Sequence, residues 1–390
     1  MLGARRAYTR HLMRGASLLL GVTALSVAFG ESFLRLCPAS MLPAHLQEWR
    51  AATPDEVGVS HAALGALEPP YQTGVFTGRD FHATYHTDGY GFRNPWPWPE
   101  AAEIVVLGDA VVFGYGVEDA QAWPALLAQW LAPQRVLNLA LMDAGPQQYL
   151  RAYETFGRTL HPRVILVGLS LINDFEDAEL FERWLQAGSK EPYSLWKPFG
   201  RAQTSRQRPF DPVHTFLSRH SYLYHMWWPN AAPVTHFRCL DGVWLRLLPG
   251  QLEAARGQAR PNQPAFRLVL QALERLHTLV QEQGTDVICV FQPSKEETYL
   301  PLRGDAESDL QQTLQDALAQ RGIASLDLTP VFRHHAALGS RLFFAVDSYP
   351  NAQGHTLIAR NVLRHLTGQA LTDSVHPWEL GDEQGGREHE

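Results

Sequence analysis

Residues 105–116 read VVLGDAVVFGYG, an apolar run that ends in a Gly-Asp turn and continues with alanine. The apolar run has the composition of a buried β-strand. The turn after such a strand is where α/β proteins collect their reacting groups. Ala110 has no oxygen that could attack a carbonyl carbon or bond to a base. The stretch therefore predicts the frame of a catalytic turn without its nucleophile.

Further apolar runs of strand length recur along the chain, and segments with helical periodicity separate most of them. The clearest such segment is 265–284, in which apolar residues recur every three or four positions until Gly284. Short apolar strands that alternate with helices indicate a parallel sheet covered on both faces. We predict an α/β fold with a doubly wound, five-stranded parallel sheet, whose strands are EIVVL (103–107), RVLNL (135–139), RVILVGL (163–169), DVICVF (286–291) and ASLDL (324–328).

The composition excludes several classes of protein. The chain has 390 residues, of which 45% are hydrophobic, so it has ample material for a buried core. A formal net charge of -7 gives no basic surface for nucleic acid, and we expect no nucleic-acid partner. The three cysteines form no CxxC pair and no Cys/His pattern at zinc spacing. We expect no disulfide framework, no metal site and no cofactor.

The N-terminus predicts a membrane segment. Residues 15–30 carry no charge, and the arginines that precede them are Arg5, Arg6, Arg10 and Arg14. A stretch of about 16 residues is shorter than the ~20 that cross a bilayer, so a cleaved signal peptide is an alternative, with its cleavage site at 28–30. We favour an uncleaved anchor over 15–36, because apolar residues continue beyond Glu31. The positive-inside rule then places 1–14 in the cytoplasm and the main domain outside it.

The remaining chain divides into four parts. Residues 37–100 are Pro-rich and predict an irregular linker or a wrap around the domain. The α/β domain covers 101–370, with an insertion at 176–262, and the acidic tail 371–390 is expected to be flexible. The insertion is unusually aromatic and either has a small core of its own or docks onto a partner or the membrane interface. Its candidate docking residues are Tyr222, Tyr224, Trp227 and Trp228.

Four polar stretches lie at the ends of the predicted strands, namely GDA (108–110), NLALMDAG (138–145), IND (172–174) and DSYPNAQGH (347–355). Their order resembles the SGNH/GDSL hydrolase superfamily, and more closely its membrane-anchored bacterial branch, some of whose members modify exported polysaccharides. The resemblance covers about 80–370. It extends to TDGYGFRNP (87–95), VVFGYGVEDAQAWPALL (111–127) and FQPSKEETYLP (291–301). It implies the flavodoxin-like three-layer sandwich and a bacterial inner-membrane protein whose main domain is periplasmic.

The resemblance also implies a serine esterase site, and this chain departs from it at three positions. Ala110 stands where the family has its nucleophilic serine, and Tyr349 stands where it has the histidine base. Asp143 aligns with a glycine whose amide would bind the oxyanion, so a carboxylate stands where negative charge must develop. Asn173, an oxyanion donor in the family, and Asp347, which would orient the histidine, are retained.

These losses predict a catalytically inactive protein, and an engineered serine-to-alanine change would account for Ala110 alone. We expect a structural or accessory subunit of a membrane or envelope assembly, with polysaccharide export, secretion and energy transduction all open. One alternative is an esterase or O-acetyltransferase with rearranged groups, such as Asp143 or Asp174 with water and His355. Another is a protein that binds an acylated glycan without cleaving it. His355 is expected to be a packing residue rather than a substitute base.

Overall fold

The computed structural model describes residues 21–38, 41–42, 59–193, 196, 221–227, 234–305 and 310–368. Residues 21–36 form a helix, here called the stem helix. The strands that follow are β1 (Val59–His61), β2 (Gly65–Leu67), β3 (Thr73–Thr77), β4 (His82–His86), β5 (Ile104–Leu107), β6 (Val136–Asn138), β7 (Val164–Leu169), β8 (Thr235–Arg238), β9 (Trp244–Leu247), β10 (Asp286–Phe291) and β11 (Ala324–Asp327). The helices are α1 (Ala110–Phe113), α2 (Trp123–Leu131), α3 (Pro146–Ala152), α4 (Leu171–Gln186), α5 (Tyr222–Trp227), α6 (Pro249–Gln258), α7 (Pro264–Gln281), α8 (Lys295–Tyr299), α9 (Gln312–Ala319), α10 (Thr329–Ala337) and α11 (Ala352–Thr367).

The central sheet has five parallel strands in the order β11-β10-β7-β5-β6. Each strand lies within one of the five predicted runs, so the predicted parallel sheet is confirmed. The chain moves outward from β5 to β6 and then crosses to β7 on the other side of β5. Because crossovers between parallel strands are right-handed, this reversal puts helices on both faces of the sheet. It also creates a switch point between the carboxyl ends of β5 and β7.

The helices pack in two groups that follow from this winding. Helices α3, α4 and α7 contact one another, and α2 packs against α11. The predicted helix over 265–284 is confirmed as α7, whose regularly spaced apolar residues are buried. Gly284 follows with a positive φ of 68°, in the left-handed region that glycine adopts without strain. Cys289 is fully buried in β10, as expected of a small apolar residue in a central strand.

Residues 59–100 are more ordered than the predicted irregular linker. Two antiparallel hairpins, β1–β2 and β3–β4, occupy much of this segment. Alternating residues of β3 and β4 face the core, and the rings of Phe76 and Tyr85 stack with centroids 4.2 Å apart. The period-two pattern in TGVFT and HATYH produces these strands. The expectation of an irregular segment is therefore wrong for the hairpins.

The predicted insertion at 176–262 is made of several regular elements. Its first residues belong to α4, and later parts form α5, the β8–β9 hairpin and α6. A small apolar cluster within it contains Leu180, Phe181, Trp184 and Tyr193. Tyr222 and Tyr224 lie on α5 and are half-buried. The backbone of Trp227 belongs to α5, and Trp228 lies outside the described residues.

Among the described residues, no helix is both long and apolar enough to cross a membrane. The stem helix contains only part of the predicted anchor at 15–36, since 15–20 lie outside the described residues. The predicted cytoplasmic segment 1–14 and the acidic tail 371–390 also lie outside them.

Candidate functional site

The Gly-Asp-Ala turn follows β5 at the switch point of the sheet. Asp109 Oδ1 accepts a hydrogen bond from the Val111 amide at 3.0 Å and so caps the short helix α1. A Cβ on Gly108 would lie 2.1 Å from Cγ2 of Val112, so only glycine lets the chain turn this closely. Asp109 is 1% exposed and Ala110 is 0% exposed. The Gly-Asp turn predicted after this strand is therefore formed, and Ala110 is buried.

The start of α4 brings a second polar stretch against this turn. The Asn173 amide donates to Asp109 Oδ2 at 3.4 Å and to Asp177 Oδ2 at 3.0 Å. Asn173 is 8% exposed. The first and third sequence motifs thus meet, because β5 and β7 are neighbours in the parallel sheet. The Asn173 side chain that could serve as an oxyanion donor is committed to two carboxylates.

Asp174 is buried beside Tyr149, which sequence reasoning did not single out. The Tyr149 hydroxyl lies 2.8 Å from both the Ala144 carbonyl oxygen and Asp174 Oδ1. The phenol has one proton for two acceptor oxygens; when Asp174 is neutral, its carboxyl proton can donate to the Tyr149 oxygen and leave the phenol proton for Ala144. The other oxygen, Oδ2, accepts from the Ser170 amide at 2.6 Å. A neutral carboxylic acid satisfies both contacts of the Tyr149 hydroxyl at once.

Burial of Asp174 and Tyr149 also favours the uncharged form of each side chain. Burial raises the pKa of the Asp174 carboxyl well above its usual range, and the neighbouring Asp109 and Asp177 charges raise it further. Burial also raises the pKa of the Tyr149 hydroxyl well above its usual range. Asp174 is therefore a neutral structural group, which leaves it without the charge that a general base would need.

Asp143 lies in the second motif with a backbone conformation that favours glycine. Its φ is 52°, in the left-handed region that L-residues other than Asn and Asp rarely adopt. The backbone has thus kept the geometry of a glycine turn while the residue has changed. The Asp143 side chain is half-buried.

Asp347 and Tyr349 lie on the loop before α11. Asp347 Oδ1 accepts a hydrogen bond from the Tyr349 amide at 3.3 Å, so the carboxylate closes a turn on its own loop. The Tyr349 ring packs on Tyr115 with centroids 4.6 Å apart. The Tyr115 amide, in turn, donates to the carbonyl oxygen of Ala110 at 2.9 Å. This chain of contacts links the loop to the turn after β5 through two aromatic rings.

Lys295 contacts the backbone of the loop that carries Asp347. Sequence reasoning did not identify this lysine. Its side chain is 0% exposed, and Nζ lies 2.5 to 3.4 Å from the carbonyl oxygens of four consecutive residues, Phe344, Ala345, Val346 and Asp347. Burial lowers the pKa of Lys295 to about 8, although nearby Glu296 and Asp347 oppose the shift. An ammonium group surrounded by carbonyl oxygens fixes the backbone that carries Asp347.

His355 is a packing residue, in agreement with the expectation. It is 0% exposed on α11, and its Nδ1 accepts from the Trp123 amide of α2 at 3.3 Å. Burial, aided by the Arg93 charge, lowers the pKa of His355 to about 3. The imidazole of His355 bonds to the backbone of α2, and a base with this pKa accepts protons poorly at neutral pH.

An open groove lies close to the loop that carries Asp347 and Tyr349. The groove, of about 720 Å³, runs between the β3–β4 turn, the loop after α1 and the start of α11. Its lining includes Phe81, Phe344, Glu118, Gln121 and Gln353, but none of Ala110, Asn173, Asp347 and Tyr349. Within the part of the chain that the structure describes, no three His, Cys, Asp or Glu residues are grouped to hold a metal ion.

Comparison with solved structures returns lipolytic enzymes and esterases. A lipolytic protein of the G-D-S-L family from Veillonella parvula is 13% identical, with 68% of this chain and 99% of that chain covered and a TM-score of 0.37. A catalytic mutant of Axe2, an acetylxylan esterase from Geobacillus stearothermophilus, is 12% identical over 69% and 97%, with a TM-score of 0.35. A two-domain esterase active on acetylated mannans is 10% identical over 71% and 52%, with a TM-score of 0.36. Comparison with curated proteins gives no match.

The comparison with family models is more specific. Residues 252–388 match the SGNH hydrolase-like domain of the acetyltransferase AlgX. Residues 252–388 therefore have the sequence of an SGNH hydrolase-like domain. The superfamily assignment made from the motifs is thereby confirmed. The match includes the Lys295 segment, the Asp347–Tyr349 loop and α11, and β10 and β11 of the SGNH hydrolase-like sheet.

Proposed function

We propose that this chain is a catalytically inactive SGNH hydrolase-like protein that serves as a structural or accessory subunit of a membrane or envelope assembly. The observation that carries the proposal is Ala110. The residue in the nucleophile position has no oxygen, and its side chain is fully buried. Covalent acyl transfer by the family route needs a hydroxyl that substrate can reach.

The surroundings of Ala110 support the same conclusion. A phenol at position 349 is a poor proton acceptor at neutral pH, and the Asp347 carboxylate bonds to the Tyr349 backbone amide. Asn173 donates to Asp109 and Asp177, so its amide is engaged in the fold. Removal of a single oxyanion donor costs about 3–4 kcal/mol of transition-state stabilisation in serine hydrolases. Here the nucleophile and base are replaced as well, so the losses compound.

The proposed location is the bacterial inner membrane, with residues 15–36 as a single-pass anchor. The four arginines before the uncharged stretch support a cytoplasmic N-terminus and a periplasmic main domain. The proposed partners are other subunits of the same assembly, with the aromatic segment around Tyr222 and Tyr224 as a candidate contact. A membrane-anchored protein that converts no substrate would contribute to the assembly through such contacts.

A second candidate function is acyl transfer or binding on acylated exported glycans. Two observations favour it: the matching family model is named for an acetyltransferase, and the groove carries Phe81 and Phe344 beside amide and carboxylate side chains. Aromatic faces combined with amides suit sugar rings. A rearranged enzyme would need a carboxylate such as Asp143 to activate water.

The deciding experiment measures hydrolysis of small acetyl esters by the purified full chain in mild detergent. We expect turnover no faster than that of an Asp143→Ala variant or of buffer alone. Turnover above background that disappears in the Asp143→Ala variant would overturn the inactive assignment. Purification from native membranes tests the accessory role separately, because stable subunits in a fixed ratio are expected and an isolated monomer would contradict it.

A further inference from the structure

The first part of the stem helix is exposed on every side. Residues 21–29 are all exposed and include no charged side chain. Large apolar side chains are among the most exposed in the described chain, with Leu25 at 72% and Phe29 at 74%. The hydroxyl of Ser26 donates to the Val22 carbonyl oxygen at 2.9 Å within the helix. This polar group is therefore satisfied without water.

The second part of the stem helix is covered on one face only. Leu34 is 7% exposed, whereas its neighbours on the other face, Phe33 and Leu36, are 60% and 85% exposed. Leu34 packs with Leu42, Tyr222 and Leu223. The cover on this face is α5, the short aromatic helix of the insertion.

A carboxylate fastens α5 to the stem helix. Glu31 accepts hydrogen bonds from the Ser221 hydroxyl at 2.9 Å and from the Tyr222 and Leu223 amides at 3.0 Å each. The Ser221 hydroxyl in turn accepts from the Tyr224 amide, so two oxygen-bearing side chains satisfy the first amides of α5. Arg35 pairs with Glu31 at 2.9 Å and lies over the Tyr222 ring, 5.6 Å from its centroid. We call this set the Glu31 clamp.

Gly30 makes the close approach possible. A Cβ at this position would lie 3.2 Å from a methyl group of Leu223, so any larger residue would require the Leu223 side chain to shift by a few tenths of an ångström. Gly30 and Glu31 are adjacent on the stem helix, and Arg35 lies one turn beyond Glu31. The change from all-round exposure to one-sided cover therefore occurs at a defined level along the helix.

Lipid is the environment that suits residues 21–29, whose apolar side chains are exposed on every side of the helix. A partner helix, or a second copy, would cover one face of residues 21–29, whereas acyl chains surround a helix completely. The helix continues an uncharged run whose preceding arginines complement anionic headgroups, and Arg35 supplies a cation at the other end. Tyr side chains with a polar tip, as on α5, are typical of the level at which a bilayer meets water.

We propose that the bilayer surrounds residues 21–29 and that the Glu31 clamp holds α5 at the level of the lipid headgroups. The inference rests on the proposed membrane anchor and adds a fixed position for the insertion. Leu25 and Phe33 are eight residues apart, which places them about 12 Å apart along the helix axis. Leu25 then lies among acyl chains, and Phe33 and Tyr224 lie near the headgroups.

The test measures the depth of a fluorescent probe on single cysteines of the full chain. Cys239 and Cys289 are buried, and burial raises the pKa of their thiols to about 11 and about 12, so they stay unlabelled at neutral pH. A Cys37→Ser background is therefore sufficient. The probe is placed by Leu25→Cys, Phe33→Cys or Tyr224→Cys, with Leu240→Cys on the exposed β8–β9 turn as the control.

The proteins are reconstituted in phosphatidylethanolamine/phosphatidylglycerol vesicles that carry a nitroxide either on the acyl chain or on the headgroup. Acyl-chain nitroxide is expected to quench the Leu25 probe most strongly. Headgroup nitroxide is expected to quench the Phe33 and Tyr224 probes, and neither should quench the Leu240 probe. A chain that does not float with vesicles would overturn the anchor itself. A chain that floats with an unquenched Leu25 probe would overturn only this inference, as would energy transfer between Leu25 probes on two copies in place of quenching.

The clamp is tested by Glu31→Ala, with the exposed Glu100→Ala as the matched control. Loss of the carboxylate should reduce headgroup quenching of the Tyr224 probe to the level of the Leu240 probe and leave the Leu25 probe unchanged. Quenching at Tyr224 that survives Glu31→Ala would show that the clamp does not position α5. Loss of quenching at Leu25 in the same variant would show that it holds the anchor instead, and would equally contradict the assigned role.

Discussion

Replacement of Asp174 by asparagine should stabilise this protein at neutral pH. Asp174 Oδ1 lies 2.8 Å from the Tyr149 hydroxyl, to which a neutral carboxyl can donate, and Oδ2 accepts from the Ser170 amide. Asparagine reproduces both bonds, with its NH₂ group as donor and its carbonyl oxygen as acceptor. It also removes the cost of keeping a carboxyl group protonated while the unfolded chain would ionise it.

The size of this effect follows from linkage. The folded pKa of Asp174 lies well above the ordinary value of 3.8, so its stabilising contribution is complete below pH 3.8 and is lost as pH rises through the folded pKa. Over that window the wild type loses about 1.4 kcal/mol per pH unit from this group, and Asp174→Asn does not. The variant's free energy of unfolding minus that of the wild type should therefore increase by about 1.4 kcal/mol when the pH is raised from 4.5 to 5.5.

The assay is urea unfolding of the full chain in mild detergent at several pH values between 4.5 and 7, followed by intrinsic fluorescence. Glu282→Gln, which changes an exposed carboxylate beyond α7, is the control and should follow the wild type at every pH. An Asp174→Asn variant that is less stable than the wild type, with a deficit that grows as pH rises, would mean that Asp174 is ionised in the fold. That result would refute the assigned direction of the Tyr149 hydrogen bond.

Three further predictions concern buried groups and backbone geometry. Lys295→Met should change how stability depends on pH between about 8 and 10.5, because burial lowers the pKa of Lys295 to about 8 in the fold from 10.5. Across that interval, the free energy of unfolding of the wild type should rise by about 1.4 kcal/mol per pH unit relative to the variant, as measured by urea unfolding. His355→Gln should change how stability depends on pH below 6.5, because the pKa of His355 is lowered to about 3 in the fold from 6.5. The free energy of unfolding of the wild type should fall by about 1.4 kcal/mol per pH unit, relative to the variant, as pH falls from 6.5 toward 3. Equal pH dependence of the two proteins in urea unfolding would contradict a buried neutral His355. Asp143→Gly should be more stable than Asp143→Ala by about 1 kcal/mol in thermal unfolding, because only glycine adopts φ 52° without strain, and equal stability would refute that account.

The five strands and α7 were predictable because their signals are local. Each strand is a short apolar run, and α7 repeats apolar residues every three to four positions, so neither depends on a distant partner. The β3–β4 hairpin was missed although its period-two pattern is present, because the surrounding prolines and glycines favoured an irregular reading. Its short strands become stable through ring packing such as that of Phe76 on Tyr85, which forms only in the folded chain.

For the candidate site, the sequence supplied a set of residues whose roles stay predictions. Motif order identified Ala110, Asp143 and Tyr349 as departures from the family pattern. Tyr149 and Lys295 were missed because each acts on a group far away in sequence: Tyr149 contacts Asp174, and Lys295 contacts the loop at 344–347. A lysine between a serine and two glutamates, in PSKEE (293–297), predicts a solvated side chain when it is considered on its own.

What the sequence determined by itself is the chemical inventory of this protein. Strand-length apolar runs, the turn after β5 and the absence of a hydroxyl at Ala110 are properties of consecutive residues, and no folding could supply the missing oxygen. The tertiary structure alone decided accessibility and protonation. Burial of Ala110, the neutral state of Asp174 and the fastening of α5 to Glu31 each depend on groups brought together across the chain, because desolvation and hydrogen bonding act through space.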